Sequence, residues 1–451
     1  MKVWLEALQR SVTGKVLFIG TLVLVLLIPL GMIEGLVYER GDRYLTAQAD
    51  IANAWGGHQT VGGPILVLPF RFTRLGAPEP PTLSDVLYVL PESLEIRGDV
   101  EVGERQRGIY SVPVFTGRLR VTGSFPVPNL QGDYAAVELL WSQAEIVVPL
   151  ANPRALHEPL VLVSGETRVP FQAGSERVGG FGPQLVGRVP LGGDAPSAPI
   201  DFAFDLVTGF SETLRFLPLG DATHVSIASS WASPSFFGLL PSERTVEATG
   251  FTAEWRVLDL ARGYPSSWRR SDGARWDVGA SVFGATLLTP VGIHEATLRA
   301  AKYGVLVIGL TFAVYFLFEV FAALRLHTLQ YLLIGLANCV FYLLLLALAE
   351  HVGFGTAYAV SAIASGGLVT SYSAAVLASV RRAAPVGALL GGLYAYLYTA
   401  LRAEDLALLI GAIGSFAALA AVMYLTRRTD WFALTARGGD EPREEGLPLN
   451  A

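Results

Sequence analysis

Long apolar runs constrain this chain first, because a segment of that length and greasiness cannot settle as a surface helix in water. Val16 to Ile33 is eighteen residues with no charge, enough to cross the hydrocarbon of a bilayer as a helix. It ends Gly31-Met32-Ile33-Glu34 without a small-residue cleavage pattern, so it reads as an uncleaved anchor. From Arg40 to about Ala301 no run is long enough to span. Five then follow: Gly304–Leu324, Thr328–Leu348, Val352–Ala375, Ala383–Leu401 and Leu406–Leu425. Charge placement orients them. Lys2, Arg10 and Lys15 precede the first run, and Arg325, Arg381-Arg382 and Arg427-Arg428 share its inner side. Glu350 and Arg402-Ala403-Glu404-Asp405 fall on the other side.

The expected organisation is a cytoplasmic N-terminus over 1–15, a first span over 16–33, an extracytoplasmic β-rich domain with membrane-proximal helices over 34–303, a five-helix region over 304–425, and a cytoplasmic tail over 426–451. Both termini lie inside. Composition agrees: 52% of residues are hydrophobic and 16% charged, against about a quarter charged in soluble chains. A net charge of −6 offers nucleic acid no electrostatic footing. The single Cys339 excludes a disulfide framework and a Cys-based metal site. His58, His157, His224, His294, His327 and His351 are scattered without metal-ligand spacing. No cofactor is expected.

The block between the first and second spans alternates with period two. Leu94, Ile96, Gly98, Val100 and Val102 share one face, with Glu95, Arg97, Asp99 and Glu101 opposite. Phe115, Leu119, Val121 and Phe125 repeat the pattern, as do Phe251, Ala253, Trp255 and Val257. Such alternation marks half-buried antiparallel strands. The fold class is therefore an α+β membrane protein: six transmembrane helices, one N-terminal and five C-terminal, with a large all-β, sandwich-like extracytoplasmic domain. Helical spacing of Tyr44, Ala47, Ile51, Ala54 and Trp55, and again over Val291 to Tyr303, predicts a collar helix at each edge of the block. In AWGGHQTVGGPILVLPF, Gly56-Gly57 stops the first collar and Pro64 opens a buried strand.

Several long stretches agree in order and spacing with one family. WGGHQTVGGPILVLPF, FLPLGDATHVSIASSWASPSFFGLLPSER, GFTAEWRVLDLARGYP, KYGVLVIGLTFAVYFLFEVFAALRLHTLQYLLIG and FYLLLLALAEHVGFGTAYAV are distributed over most of residues 16–375. In them the chain resembles the CreD family of bacterial inner-membrane, cell-envelope-integrity proteins. The resemblance implies a multi-pass protein of the inner (plasma) membrane, envelope stress, a two-component regulon responding to β-lactam damage, and tolerance to certain colicins. It implies a place and a process, without a reaction. Two departures are visible. His327-Thr328 stands where the family usually has His-Pro, and Asn152-Pro153-Arg154-Ala155 where it usually has Asp-Pro-Arg-Gly. The second weakens any chemistry assigned to an Asp at that turn.

Candidate functional residues fall in three places. Trp55, His58 and Gln59 could face a ligand or lipid headgroup, or could simply make a helix stop and a turn. Glu319 lies inside the second span, where an ionisable residue is costly and so a functional hypothesis; the alternative is a structural pair. Glu350-His351 sits at the outer end of the third span. Asn338 is a candidate interhelical hydrogen-bond partner. Gly387, Gly391 and Ala395, with Ala407, Gly411 and Ser415, offer small-residue faces for packing within one chain or in a homo-oligomer. No hydrolase, P-loop or zinc-protease motif is present. Ser229, Ser230 and Ser235 lack a local partner, though His224 could be one in space.

Three functions follow. One is a non-enzymatic envelope factor whose β-domain binds an envelope protein or component while the spans hold it in the lipid bilayer. The second is a transporter or lipid-handling protein using Glu319. The third is an enzyme acting on envelope lipid or wall material.

Overall fold

The computed structural model describes residues 12–74, 82–128, 134–189, 192, 195–272, 276, 278–287, 293–321, 326–402 and 407–427. Arg325, Glu404, Asp405, Arg428 and most of the tail read as cytoplasmic lie outside the described residues. The chain divides into two compact units, Leu45–Pro290 and Met1–Tyr44 with Val291–Ala451.

Seven helices are described. The first, α1 (Val12–Trp55), is one helix of 44 residues with Pro29 inside it. The anchor and the first collar are thus a single element, running unbroken through Gly35 and Gly41-Asp42, residue types that elsewhere stop and start helices. After the β-rich unit come α2 (Ile293–Lys302), α3 (Gly304–Phe321), α4 (Thr328–Val352), α5 (Phe354–Val376), α6 (Val380–Arg402) and α7 (Ala407–Thr426). Five helices among the described residues are long and apolar enough to cross a membrane, and α7 holds a shorter apolar stretch, Leu409–Tyr424. In the membrane unit Leu26 and Leu30 of α1 are buried with Ile308 and Phe312 of α3, Phe341 and Leu345 of α4 and Leu390 of α6. Gly335 lets these helices close: a Cβ there would stand 2.2 Å from Leu26 Cδ1 and 2.9 Å from Phe312 Cζ.

The predicted departure at Thr328 has a local account. His327 is the N-cap of α4, its ring nitrogen accepting from Leu329 N, and Gln330 completes a capping box. Thr328 is then the first helical residue, the position where proline is favoured because its missing N–H would be unpaired anyway.

Among the described residues the β-rich unit holds three sheets. In the eight-stranded sheet, Ser93–Arg107 pairs with Tyr110–Phe125 on one side and with Ala222–Ser229 on the other. The latter pairing is parallel and the former antiparallel. A seven-stranded sheet centres on Ile65–Arg74, which pairs with Leu83–Val89, Tyr134–Leu139 and Glu145–Pro149. A four-stranded sheet begins with Gln59–Gly62, parallel to Thr213–Leu217. Residues read from the sequence as a turn therefore include a strand, whose parallel partner lies far along the chain. Alternation places Leu94, Ile96, Phe115, Leu119, Val121 and Phe125 inward, all 2% exposed or less. They share one core with Leu66 and Ile146 of the second sheet and Phe216 and Phe283 of the third.

Trp255 sits where these layers meet. It is 1% exposed, with ring centroids 5.7 Å from Phe236, 5.7 Å from Phe283 and 6.3 Å from Phe216. Its indole donates to Leu239 O at 2.9 Å. Removing so large a buried side chain costs about 3–5 kcal/mol. Trp255→Ala is expected to make the segment 45–290 sensitive to limited proteolysis in native membranes at temperatures where the wild type resists.

Candidate functional sites

The first candidate set lies within the β-rich unit. Gly56 and Gly57 adopt φ of +141° and +59°, ending α1. A side chain at Gly56 is excluded twice, by backbone conformation and by Gly209 O, which would stand 2.4 Å from its Cβ. Trp55 donates from Nε1 to Phe115 O at 3.0 Å. Its ring is covered by the Arg105 guanidinium at 4.2 Å and met edge-on by His157 at 4.9 Å. Gln59 is fully buried. Its Nε2 donates to Thr208 Oγ1 at 2.7 Å and Asn152 O at 3.1 Å, and its Oε1 accepts from Asn152 N at 2.9 Å. Asn152 in turn donates from Nδ2 to Gly56 O at 3.1 Å and accepts from Arg154 N at 3.2 Å. A carboxylate at 152 could accept from Arg154 but could not donate to Gly56, so the amide ties the turn to the end of α1. His58 is half-exposed, with Nε2 3.8 Å from Glu212 Oε2. Glu212 also accepts from Gln48 Nε2 at 3.1 Å.

The second set lies in the membrane unit. Glu319 of α3 has a side chain only 6% exposed, and its Oε1 is 2.5 Å from Lys15 Nζ of α1. Tyr331 of α4 donates its hydroxyl to Oε2 at 3.2 Å, and Leu326 N donates to Oε1 at 3.2 Å. A buried charge in this setting is costly without a partner and hydrogen bonds; Glu319 has both. Glu350 of α4 is similarly buried, with Oε2 3.6 Å from Arg40 Nη1 of α1. His351 beside it is exposed, and its Nδ1 lies 3.1 Å from Ala347 O. Lys15 and Arg40 are twenty-five residues apart on one helix, about 37 Å. That is comparable to the ~30 Å hydrocarbon thickness, so the two pairs lie about a membrane's thickness apart.

A tyrosine cluster inside the bundle was not anticipated from the sequence. Tyr394 of α6 stacks on Phe341 of α4 at 4.5 Å, and its carbonyl accepts from Tyr358 of α5 at 2.7 Å. Asn338, fully buried, faces Tyr394 with Oδ1 3.5 Å from its hydroxyl. Tyr358 and Tyr394, each within an apolar run, were the available signal. Gly387, Gly391 and Ala395 line a groove of ≈ 730 Å³ with Gly366 and Tyr398. Gly411 instead meets the hydroxyl of Tyr303.

The serine candidates are not assembled. His224 lies on a sheet face, between Glu95 at 3.4 Å and Glu254 at 3.6 Å. Ser229, five residues along the same strand, faces the other way and is about 17 Å distant. Its hydroxyl donates to Val100 O at 2.8 Å. Another buried charge that the sequence reading passed over is Arg262, which donates to Leu219 O at 2.7 Å, Gly220 O at 2.9 Å and Asp221 Oδ1 at 2.6 Å. Among the described residues no group of three His, Cys, Asp or Glu side chains is placed to hold a metal ion.

Two outcomes follow from this geometry. Gln59→Ala leaves Asn152 N and Thr208 Oγ1 without their partner, a cost of about 1–3 kcal/mol for each buried group; it is expected to lower the thermal midpoint of the purified protein, whereas His58→Ala leaves it nearly unchanged. Glu319→Gln strands the Lys15 ammonium and is expected to reduce membrane abundance severalfold, with Lys15→Met on top of it restoring most of the loss. Normal abundance of the Glu319→Gln single variant, measured by immunoblot of membranes, would count against a structural role for the pair.

Comparison with known proteins places these features in a family. The family model described as inner membrane protein CreD matches residues 11–432. The inner membrane protein CreD of Escherichia coli (strain K12) is 31% identical over 420 residues, covering 92% of each chain. Among solved structures, an M1 zinc metallopeptidase mutant from Deinococcus radiodurans aligns over 38% of each chain at 11% identity and TM-score 0.20. The same mutant bound to a Tyr-Ser-Ala substrate aligns over 80% of this chain and 96% of its own at 10% identity and TM-score 0.20. Likeness that weak carries no argument about fold or activity. The match over nearly the whole length is decisive, and the chain belongs to the CreD family of inner membrane proteins.

Proposed function

We propose that this protein is an envelope-integrity factor that acts without catalysis, through a surface of its β-rich unit held on the outer side of the inner membrane. Both termini are then cytoplasmic, an orientation the charge asymmetry of the loops supports. The observation that carries the reading is the outer face of the eight-stranded sheet. Arg97, Asp99, Arg118, Arg120, Asp205 and Glu254 surround a concavity of ≈ 750 Å³ there. Gly98 also borders it, and a Cβ there would stand 2.0 Å from Arg118 O of the neighbouring strand. Arg97 and Arg120 are direct cross-strand neighbours, a like-charge pairing that disfavours the sheet unless something else uses it. Arg120 lies 3.5 Å from Asp205, and Arg118 donates to Glu101 at 2.8 Å. Exposed pairs of this kind contribute about 0–1 kcal/mol, so stability does not account for the charge density. A rigid face with both signs of charge is suited to recognising a polar envelope component or a partner protein.

The other candidates weigh on the same side. Trp55 and Gln59 are consumed by internal bonds, and Glu319 and Glu350 each hold a cation from α1. That arrangement removes the motive for a charge relay through the spans. Reversing two charges, in Arg97→Glu with Arg120→Glu, is expected to reduce survival under envelope damage at least about tenfold, the scale of losing a charge-assisted contact or two, with membrane abundance unchanged. Wild-type survival in that variant would remove the reading.

A further inference from the structure

The groove between α5 and α6 is long, open and ends on a cation. Its volume is ≈ 730 Å³, and its lining runs from Gly355 and Tyr398 to Thr370 and Gly387. A Cβ on Gly355 would stand 3.4 Å from the Tyr398 hydroxyl, and one on Gly387 3.0 Å from Thr370 Cγ2, which fixes the two ends across antiparallel helices. Those ends are fifteen residues apart on α5, about 22 Å. Gly355 follows Glu350 by five residues, so the groove starts near the level of the Arg40–Glu350 pair and runs into the apolar zone. One leaflet contributes about 15 Å of hydrocarbon, half of the ~30 Å core. The groove therefore has the length to take an acyl chain through a whole leaflet.

Its lining suits an apolar occupant. Tyr358 already donates to Tyr394 O at 2.7 Å and Thr370 to Gly366 O at 2.6 Å, and the Tyr394 hydroxyl lies 3.4 Å from Ser365 Oγ. What these bonds leave facing the groove is Gly and Ala surface and tyrosine ring. Ile363 also borders it and is 75% exposed, so it projects above the small residues. A helix, about 10–12 Å across with its side chains, would rest on that rim and leave the groove unfilled. A single acyl chain can enter.

The charge sits at the end near Glu350. Arg402, the last residue of α6, is exposed, and its guanidinium lies 5.1 Å from the centroid of the Tyr398 ring. Stacking on a ring face holds the cation and leaves its N–H edges free. We propose that the groove binds one phospholipid, with an acyl chain between α5 and α6 and the headgroup phosphodiester on Arg402. The planar fork matches two phosphate oxygens. An apolar cleft that ends on an accessible cation near the membrane boundary complements both halves of such a molecule, and its volume falls in the range of about 300–1,000 Å³ usual for ligand sites. The proposal concerns the membrane unit alone and does not depend on the sheet-face reading.

The test uses the full-length protein in detergent after controlled delipidation, with palmitoyl-oleoyl phosphatidylglycerol as the probe. A Cβ on Gly391 meets nothing within 4 Å, so Gly391→Leu occupies the groove with room for its first carbon. Native mass spectrometry is expected to find about one fewer phospholipid retained per chain in Gly391→Leu than in the wild type. Arg402→Gln is expected to bind the probe about tenfold more weakly, the scale of one charge-assisted contact, while diacylglycerol with the same chains binds both proteins alike. Equal phospholipid retention by Gly391→Leu and the wild type overturns the proposal. So does a wild-type dimer that Gly391→Leu makes monomeric with lipid retention unchanged, which would assign the groove to a second copy. Probe binding by Arg402→Gln as tight as by the wild type also overturns it. Where Gly391→Leu fails to accumulate, the preference of the wild type for phosphatidylglycerol over diacylglycerol, and its loss in Arg402→Gln, decides.

Discussion

Pairing of charge at the membrane boundary is the constraint on which the helical unit depends. The first helix supplies two cations, Lys15 and Arg40, and each is met by a carboxylate from a distant part of the chain, Glu319 and Glu350. A carboxylate buried among apolar side chains without such a partner is costly. The pairs also set register. Sliding α1 by one turn would move it ~5.4 Å and break both contacts at once, while its apolar contacts with Leu26 and Leu30 could be replaced by similar ones. Hydrophobic packing thus supplies adhesion, and the two ion pairs specify position. Lipid provides no hydrophobic drive between helices, which makes the polar ties more important here than in a soluble bundle.

The β-rich unit solves a related problem with hydrogen bonds. Its three sheets share one core, and the chain must pass from a helix into the first of them. Gln59 makes that passage definite. One amide side chain satisfies Asn152 through both its N–H and C=O and reaches Thr208 as well. Asn152 closes back on Gly56. The glycines permit the geometry, and the two amides hold it. A stretch dense in Gly, Trp, His and Gln therefore serves as a joint, even though the same residue types could have lined a ligand site.

Much of the architecture was legible because it follows from local periodicity. Apolar length locates the helices, and alternation located the strands Ser93–Arg107, Tyr110–Phe125 and Gly250–Leu258 with most of their inward residues, Val102 being exposed where the first strand runs beyond the core. What could not be read is pairing over long separations. Lys15 was seen only as an orienting charge, because nothing local announces Glu319 304 residues away. Gln59 looked like part of a turn, since its partners lie 93 and 149 residues further on. The parallel partner of Gln59–Gly62 is hidden for the same reason. Glu319 and Glu350 were legible as exceptional residues, but a charge in a span announces a cost without naming what offsets it.

That distinction bears on where function can reside. A residue that already satisfies a buried partner is difficult to use for anything else, because releasing it exposes the partner's desolvation cost. By that criterion Gln59, Trp55, Arg262, Glu319 and Glu350 are committed to the fold. The charges on the outer face of the eight-stranded sheet are not. They are solvated, weakly coupled, and fixed in position by a rigid sheet whose inward side chains are fully packed. A fold that leaves its exposed charges weakly held, while pairing the charges it buries around α1, has placed its capacity for recognition on the surface of its sheet.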